Sequence, residues 1–262
     1  MNVFVFDIET VPDVATARRL WNLDELDDGG VAAVMYSKRQ QETAGHSEFL
    51  RHHLHRIVAI SAVFREQERF NVWSLGSEEA DEAELIRRFF EGVERYTPTL
   101  VSWNGGGFDL PVLHYRALLN NIAAPRYWES GDDDRNFRYN NYLGRFHWRH
   151  IDLMDVLAGY QGRATVPLDQ MAVMLGFPGK LGMHGSEVWK QFRAGDLRSI
   201  RDYCETDVLN TYLIYLKFEF MRGHLSAQQI DDEFERVRHF LASHEAPHFA
   251  SFLAAWNAAR GG

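Results

Sequence analysis

The stretch VFVFDIET, residues Val3–Thr10, decides how this chain folds. Val3–Ile8 is β-branched or aromatic except at Asp7, and it reads as a strand. Successive side chains of a strand point to opposite faces, so Asp7 and Glu9 share one face. Two carboxylates in an otherwise apolar strand are costly to bury unpaired. Taken alone, the pair also admits a plain reading, with Asp7 closing the strand end and Glu9 solvated.

Working outward, Ile57–Phe64 and Phe70–Leu75 read as two further strands joined by the polar Arg65–Arg69, which suits an antiparallel hairpin. Asp81–Tyr96 carries Leu85, Ile86, Phe89, Phe90 and Val93 at helical spacing. Thr99–Asn104 reads as a strand running into Gly105, Gly106 and Gly107, and Asp109–Asn120 as a helix that tolerates Pro111 in its first turn. A short strand follows at Ile151–Met154, then a helix at Leu168–Leu175 stopped by Gly176. Asp196 is the expected cap of a long helix reaching Arg222, and Ser226 with Gln229 forms a capping-box pattern. Strands first, then alternating helix and strand, predict an α/β domain whose mixed sheet has helices on its faces. No repeat or linker divides it, so one domain is expected over residues 1–262, with a C-terminal helical extension at about 226–262. Residues 11–55 form a long insertion, expected to contain helical pieces because structureless loops of that length are rare.

Composition narrows the class. With 18 Phe, 10 Tyr and 7 Trp in 262 residues, disorder is excluded. A chain this long buries roughly three quarters of its unfolded surface, so folding needs no disulfide or structural metal. The lone Cys204 forms no internal disulfide, which points to a reducing, cytoplasmic compartment. The apolar run Val3–Phe6 is too short for a signal peptide, and no stretch is long enough to span a membrane. The net charge of −9 argues against coating a duplex through a broad basic surface.

Asp109 follows the three glycines, which let the backbone approach another group closely; helix capping is its alternative role. Asp207 lies four residues after Tyr203 in the long helix, side by side with it along the edge of the stripe Leu197, Ile200, Cys204, Val208 and Tyr212. Together Asp7, Glu9, Asp109 and Asp207 suggest divalent-cation chemistry. Oxygen ligands select Mg²⁺ or Mn²⁺, and four acids suffice to hold two ions about 3.5–4 Å apart.

Three motifs occur in order: Phe6-Asp7-Ile8-Glu9-Thr10, Asn104-x-x-x-Phe108-Asp109 and Tyr203-x-x-x-Asp207. They resemble the exonuclease motifs of the DnaQ-like 3′–5′ exonucleases in the subgroup with Tyr in the third motif. The likeness is greatest to the proofreading exonuclease domain of B-family DNA polymerases and to stand-alone bacterial proteins similar to it, and it covers about residues 1–220. The resemblance implies a ribonuclease-H-like fold, a five-stranded mixed sheet with helices on both sides. It implies two Mg²⁺ or Mn²⁺ ions, with Asp7 bridging them. Glu9 and Asp207 resemble ligands on the side of the attacking water, and Asp109 a ligand on the leaving-group side. Tyr203 resembles the residue that positions that water. Thr10, Asn104 and Phe108 become expected substrate contacts. The implied substrate is a single-stranded DNA or RNA 3′ end, DNA before RNA, releasing nucleoside 5′-monophosphates. No polymerase domain is expected in cis, and the 11–55 insertion leaves substrate preference open.

Arg135–His150 reads RNFRYNNYLGRFHWRH, cationic and aromatic without an acid. Stacking rings interleaved with cations suit a single strand, which makes Arg138 and Arg145 candidate contacts. The alternative is a hairpin whose aromatics pack inward and whose arginines neutralise Asp132, Asp133 and Asp134. Lys180 is a further candidate phosphate contact. His52, His53 and His55 read as a surface loop, Asp152 and Asp155 as supporting acids, and Met171, Met174 and Phe249–Trp256 as core. Two rival classes remain in view. One is a haloacid-dehalogenase-type phosphatase using Asp7, Ser102 and Lys180. The other is a non-catalytic nucleic-acid-binding module of the same fold.

Overall fold

In the computed structural model, which describes residues 1–259, the strand opened by Val3 runs further than its apolar core, from Asn2 to Pro12 (β1). It is sheltered on both faces. Val3 and Val5 enter one core cluster, and Phe4, Phe6 and Ile8 enter another on the opposite side. The remaining strands are β2 (His55–Glu66), β3 (Arg69–Ser74), β4 (Thr99–Ser102) and β5 (His150–Asp152). Their order is β3-β2-β1-β4-β5. Pairing is antiparallel for β1–β2 and β2–β3, and parallel for β1–β4 and β4–β5. This is the mixed five-stranded, ribonuclease-H-like sheet that the motifs imply.

The helices are α1 (Val14–Trp21), α2 (Asp28–Glu42), α3 (Glu82–Tyr96), α4 (Asp109–Leu119), α5 (Pro125–Trp128) and α6 (Leu153–Leu157). They continue with α7 (Leu168–Met174), α8 (Val188–Arg193), α9 (Leu197–Met221), α10 (Ala227–Ser243) and α11 (Pro247–Ala259). Helices α3, α4 and α5 cover the face of Phe4 and Phe6, while α7, α9, α10 and α11 cover the face of Val3 and Val5. Helix α9 departs from the expected single apolar stripe. From Tyr203 to Leu216 nearly every side chain is buried, because the sheet lies on one side and α10 and α11 on the other.

The insertion is folded. Asp13 and Asp27 cap α1 and α2, and Ala17, Val31, Met35, Leu50 and Leu54 form a small core of their own. Arg116 on α4 clamps this unit to the body. Its guanidinium meets Asp13 before α1 and takes both oxygens of Glu82 on α3. Glu82 also accepts the backbone N–H of Ile57 on β2 at 2.7 Å.

Several expectations need correction. The strand expected at Ile151–Met154 ends at Asp152, whose carboxylate accepts from Asp155 N and starts α6. Likewise β4 stops at Ser102, because Asn104 turns the chain with φ +66°. His55 is not on a surface loop: it is buried, with Nδ1 2.8 Å from Thr10 Oγ1 and Nε2 3.2 Å from Leu50 O. Met174 is exposed and not core, whereas Met171 packs against the α9 cluster. Arg135–His150 forms no hairpin; it winds through a 3₁₀ turn that buries Phe137 and Tyr142 while Tyr139 and Phe146 stay exposed. Asp134 is neutralised from outside that segment, by Arg126. The expected extension at 226–262 is α10 and α11, with the capping box formed by Ser226 and Gln229; its last three residues lie outside the described residues.

Candidate active site

The parallel pairing of β1 with β4 ends at Val5–Val101, whereas β2 follows β1 along its whole length. Beyond Val5, β1 therefore has one free edge, at the carboxyl ends of two parallel strands. Open α/β sheets bind ligands in such crevices. The free edge falls beside Asp7 and Glu9. Ile8 N, having no strand partner there, donates to Asp109 Oδ1 at 3.1 Å. Asp109 thus reaches β1 across 101 residues of sequence and does not cap α4, whose N-cap is Phe108.

The glycine turn sets that reach. Asp152 on β5 accepts from Asn104 N and Gly106 N, both at 2.9 Å. Asn104 O in turn accepts from Gly107 N and Phe108 N. A Cβ on Gly105 would stand 2.2 Å from Ser102 Oγ and 2.5 Å from Ser102 Cβ, so a side chain there would push the turn out of place. Asp152 is the supporting acid that its sequence position suggests. Asp155 instead pairs with both ends of the Arg145 guanidinium.

From the opposite side α9 brings Tyr203 and Asp207, both buried. Cys204 Sγ lies 3.5 Å from Asp7 O and from Asp7 Oδ2, and its thiol donates there. Burial, then the charges of Asp7 and Glu9, push that thiol well above its ordinary value, so it is a neutral donor and not a thiolate ligand. Glu9 is buried and Asp7 keeps a partly exposed edge.

The four carboxylates repel one another in a largely buried site. Burial, followed by the charges of Asp109, Glu9 and Asp207, holds the Asp7 carboxyl well above the usual carboxylate range. Burial and the charges of Asp207 and Asp109 do the same to Glu9, with Lys180 opposing. Asp109 is pushed up to about 7 by burial, although its backbone donors oppose this. Asp207 is pushed up to about 6 by burial, opposed by the Tyr203 hydroxyl and by Lys180. The Tyr203 phenol is raised by burial and by these carboxylates, so it stays protonated. Asp207 Oδ1 is buried and has no hydrogen-bond partner. Leaving such an oxygen unpaired costs about 1–3 kcal/mol or more. A hard divalent cation fits this donor set: carboxylate oxygens, mutual repulsion and an orphaned acceptor.

The other candidate residues separate into two groups. Thr10 and Phe108 are the neighbours in sequence of Glu9 and Asp109, Lys180 lends charge to Glu9 and Asp207, and Asn104 is held by Asp152 in the glycine turn. Thr10 is tied to His55, and the Phe108 ring stands 5.0 Å from His55 and 5.2 Å from Phe49. Lys180 follows Gly179, whose N–H and C=O are both held by the Asn210 side chain on α9. Arg138 and Arg145 do not join the acids. Arg145 is committed to Asp155, and Arg138 follows the 3₁₀ turn at Arg135–Phe137. Ser102, proposed for a phosphatase, is buried with its Oγ 2.8 Å from His150 Nε2. Sequence reasoning passed over Phe49 and Trp189, and it gave Cys204, a lone cysteine in an apolar stripe, no place in the site. Nothing local marks them, since each gains its place through chain segments far apart in sequence.

A ribonuclease-H-like sheet with an acidic crevice of this kind defines a class of nuclease domains. The chain belongs to the family of predicted 3′–5′ exonucleases related to the exonuclease domain of PolB, which it matches over residues 47–256. Among curated proteins it is similar to a DNA polymerase of Archaeoglobus fulgidus, 26% identical over 149 residues, covering 56% of this chain and 19% of that protein. It is also similar to the catalytic polypeptide of DNA polymerase epsilon from Schizosaccharomyces pombe, 26% identical over 144 residues, covering 53% of this chain and 6% of that protein. The chain therefore spans less than a fifth of either relative. Among solved structures, a family B DNA polymerase from Pyrobaculum calidifontis aligns with a TM-score of 0.47 and 18% identity, over 81% of this chain and 24% of that one.

Proposed function

We propose that this chain is a metal-dependent 3′–5′ exonuclease that releases nucleoside 5′-monophosphates from single-stranded ends, DNA before RNA. The observation that carries the reading is the meeting of Asp7, Glu9, Asp109 and Asp207 at the free edge of β1, with carboxyls raised by burial and mutual charge. The preference for DNA rests on the two curated relatives, both named as DNA polymerases.

Asp7, Glu9, Asp109 and Asp207 would hold two Mg²⁺ or Mn²⁺ ions. When bound, such ions acidify the attacking water and neutralise charge building on the leaving oxygen. The chain's own groups do the rest. Lys180 lends positive charge beside Glu9 and Asp207, where a phosphate would otherwise meet only carboxylates. The Tyr203 hydroxyl, protonated throughout the working range, donates a hydrogen bond that orients the attacking water. The tight glycine turn at Gly105–Gly107, held by Asp152, fixes Asp109 against β1.

Single-stranded oligonucleotides labelled at either end, incubated with Mn²⁺ or with EDTA, test the reading. A 3′ label should leave as a mononucleotide at once, and a 5′ label should shorten stepwise. Asp7→Asn should lose activity by orders of magnitude. Degradation in excess EDTA, internal cuts as first products, or no degradation with Mn²⁺ would each overturn it.

A further inference from the structure

A cavity of about 810 Å³ opens between the insertion and the segment that leads into α8. The insertion forms one wall through Tyr36 and Phe49, and the segment ahead of and within α8 forms the other through His184, Trp189 and Lys190. Thr10 and Lys180 also line it. The cavity thus adjoins the acidic crevice through Thr10, the residue after Glu9, and Lys180, whose charge reaches Glu9 and Asp207.

Its chemistry is that of a single-strand channel. Phe49 is 57% exposed although it is a large apolar ring, and it leans on Phe108, the residue before Asp109. Trp189 is half-buried, braced by Phe192 behind it. Exposed rings of this kind are stacking platforms for bases. Lys180, Lys190 and His184 are exposed, and among the described residues neither lysine has an ion pair. One acid, Glu48, also lines the space, and its Oε1 is held by Gln40. The Arg135–His150 surface offers less, because Arg145 is already neutralised by Asp155.

We propose that the nucleotides of an unpaired strand nearest its 3′ end occupy this cavity, with bases stacked on Phe49 and Trp189 and phosphates on Lys180 and Lys190. The insertion then has a purpose: it supplies the wall that turns an open crevice into a channel. The inference rests on the exonuclease reading and specifies the substrate-binding path for it.

Two measurements test it. The first is fluorescence anisotropy of a labelled oligothymidylate in EDTA, which reads binding without cleavage. Trp189→Ala or Phe49→Ala should weaken binding about tenfold, the range of one lost base stack. Lys190→Ala, at an exposed position, should flatten the salt dependence of binding, whereas Arg145→Ala should leave it alone. The second compares kcat/KM for a ten-nucleotide strand with that for the p-nitrophenyl ester of thymidine 5′-monophosphate, which has no upstream nucleotides. Trp189→Ala should shrink the advantage of the strand about tenfold. If the wild-type protein cleaves both substrates while the aromatic and lysine variants move neither binding nor that ratio, the channel assignment is wrong and the exonuclease reading stands. If the wild-type protein cleaves neither, that reading fails and this one with it.

Discussion

Asp7 and Tyr203 show how burial gives single residues their roles. A carboxyl raised in the folded state contributes stability that is fully present below its unfolded value, near pH 4. That contribution is lost as pH rises through the folded value, about 6 for Asp207 and about 7 for Asp109. The metal-free protein should therefore be less stable at pH 8 than at pH 6. A divalent cation relieves the same repulsion and competes with the same protons, so Mn²⁺ should raise Tm more at pH 8 than at pH 6. Asp7→Asn removes one charge at nearly constant volume, so in EDTA it should raise Tm and abolish the response to Mn²⁺. Thermal melts of the two proteins with and without Mn²⁺ check this; a lower Tm for Asp7→Asn in EDTA would make Asp7 a structural acid. Tyr203→Phe keeps the ring buried on α9 and removes only the donor. We predict that it retains the thermal response to Mn²⁺ and loses most of its single-turnover rate, whereas Asp207→Asn loses both. Unimpaired turnover by Tyr203→Phe would take water positioning away from the tyrosine and leave the acids unaffected.

At the scale of elements, what could be read in the sequence was what is local. The apolar run Val3–Ile8 announced β1, Asp196 announced α9, and Ser226 with Gln229 announced α10. The four candidate acids were legible as a set because each sits at a short offset from such an element. The ties between elements were not. Arg116 is 103 residues from Asp13 and 34 from Glu82, and no periodicity links the three. The same holds for Phe49 and Trp189, which come from opposite walls of one cavity. These ties have consequences of their own. Arg116→Ala would leave Asp13 and Glu82 buried without a cation, and removing one partner of a buried pair costs about 3–5 kcal/mol. Because Asp13 caps α1, the insertion should loosen first. Urea unfolding should show the full loss, with amide exchange rising earliest in residues 14–54; a loss below about 1 kcal/mol would place Arg116 among weak surface pairs. Asp152→Ala acts on the site at one remove. It frees Asn104 N and Gly106 N, so Asp109 loses its fixed approach to Ile8. We predict a fall in kcat larger than any rise in KM, with Tm lowered by only a few degrees. A fall confined to KM would instead make Asp152 a substrate contact.

The whole molecule carries a net charge of −9, yet its proposed substrate is a polyanion. The conflict is resolved by where the charge sits. Asp7, Glu9, Asp109 and Asp207 account for four of the negative charges, and the proposed cations offset those locally. The positive groups lining the proposed path are few, Lys180 and Lys190. Long-range attraction is therefore weak, and binding must come from stacking and from contacts inside the channel. Each phosphate contact on a single strand contributes about −0.7 to the slope of log affinity against log salt. Two lysines thus give a slope of roughly −1.4, about a sevenfold loss between 50 and 200 mM salt. A protein that tracked a duplex through six or more phosphates would lose far more, about a thousandfold. We therefore predict a shallow salt dependence of KM on single strands at fixed Mn²⁺, and slower attack on blunt duplex ends than on 3′ overhangs of the same sequence. The duplex penalty should fall as the terminal pairs are made easier to open, since an end must fray before it enters the channel. KM measured from 50 to 200 mM KCl, alongside initial rates on A·T-rich and G·C-rich blunt ends, checks both statements. A slope steeper than about −4, the range of many phosphate contacts, or equal rates on blunt and overhanging ends would mean that the substrate is gripped as a duplex, over a surface this acidic molecule does not present through Lys180 and Lys190.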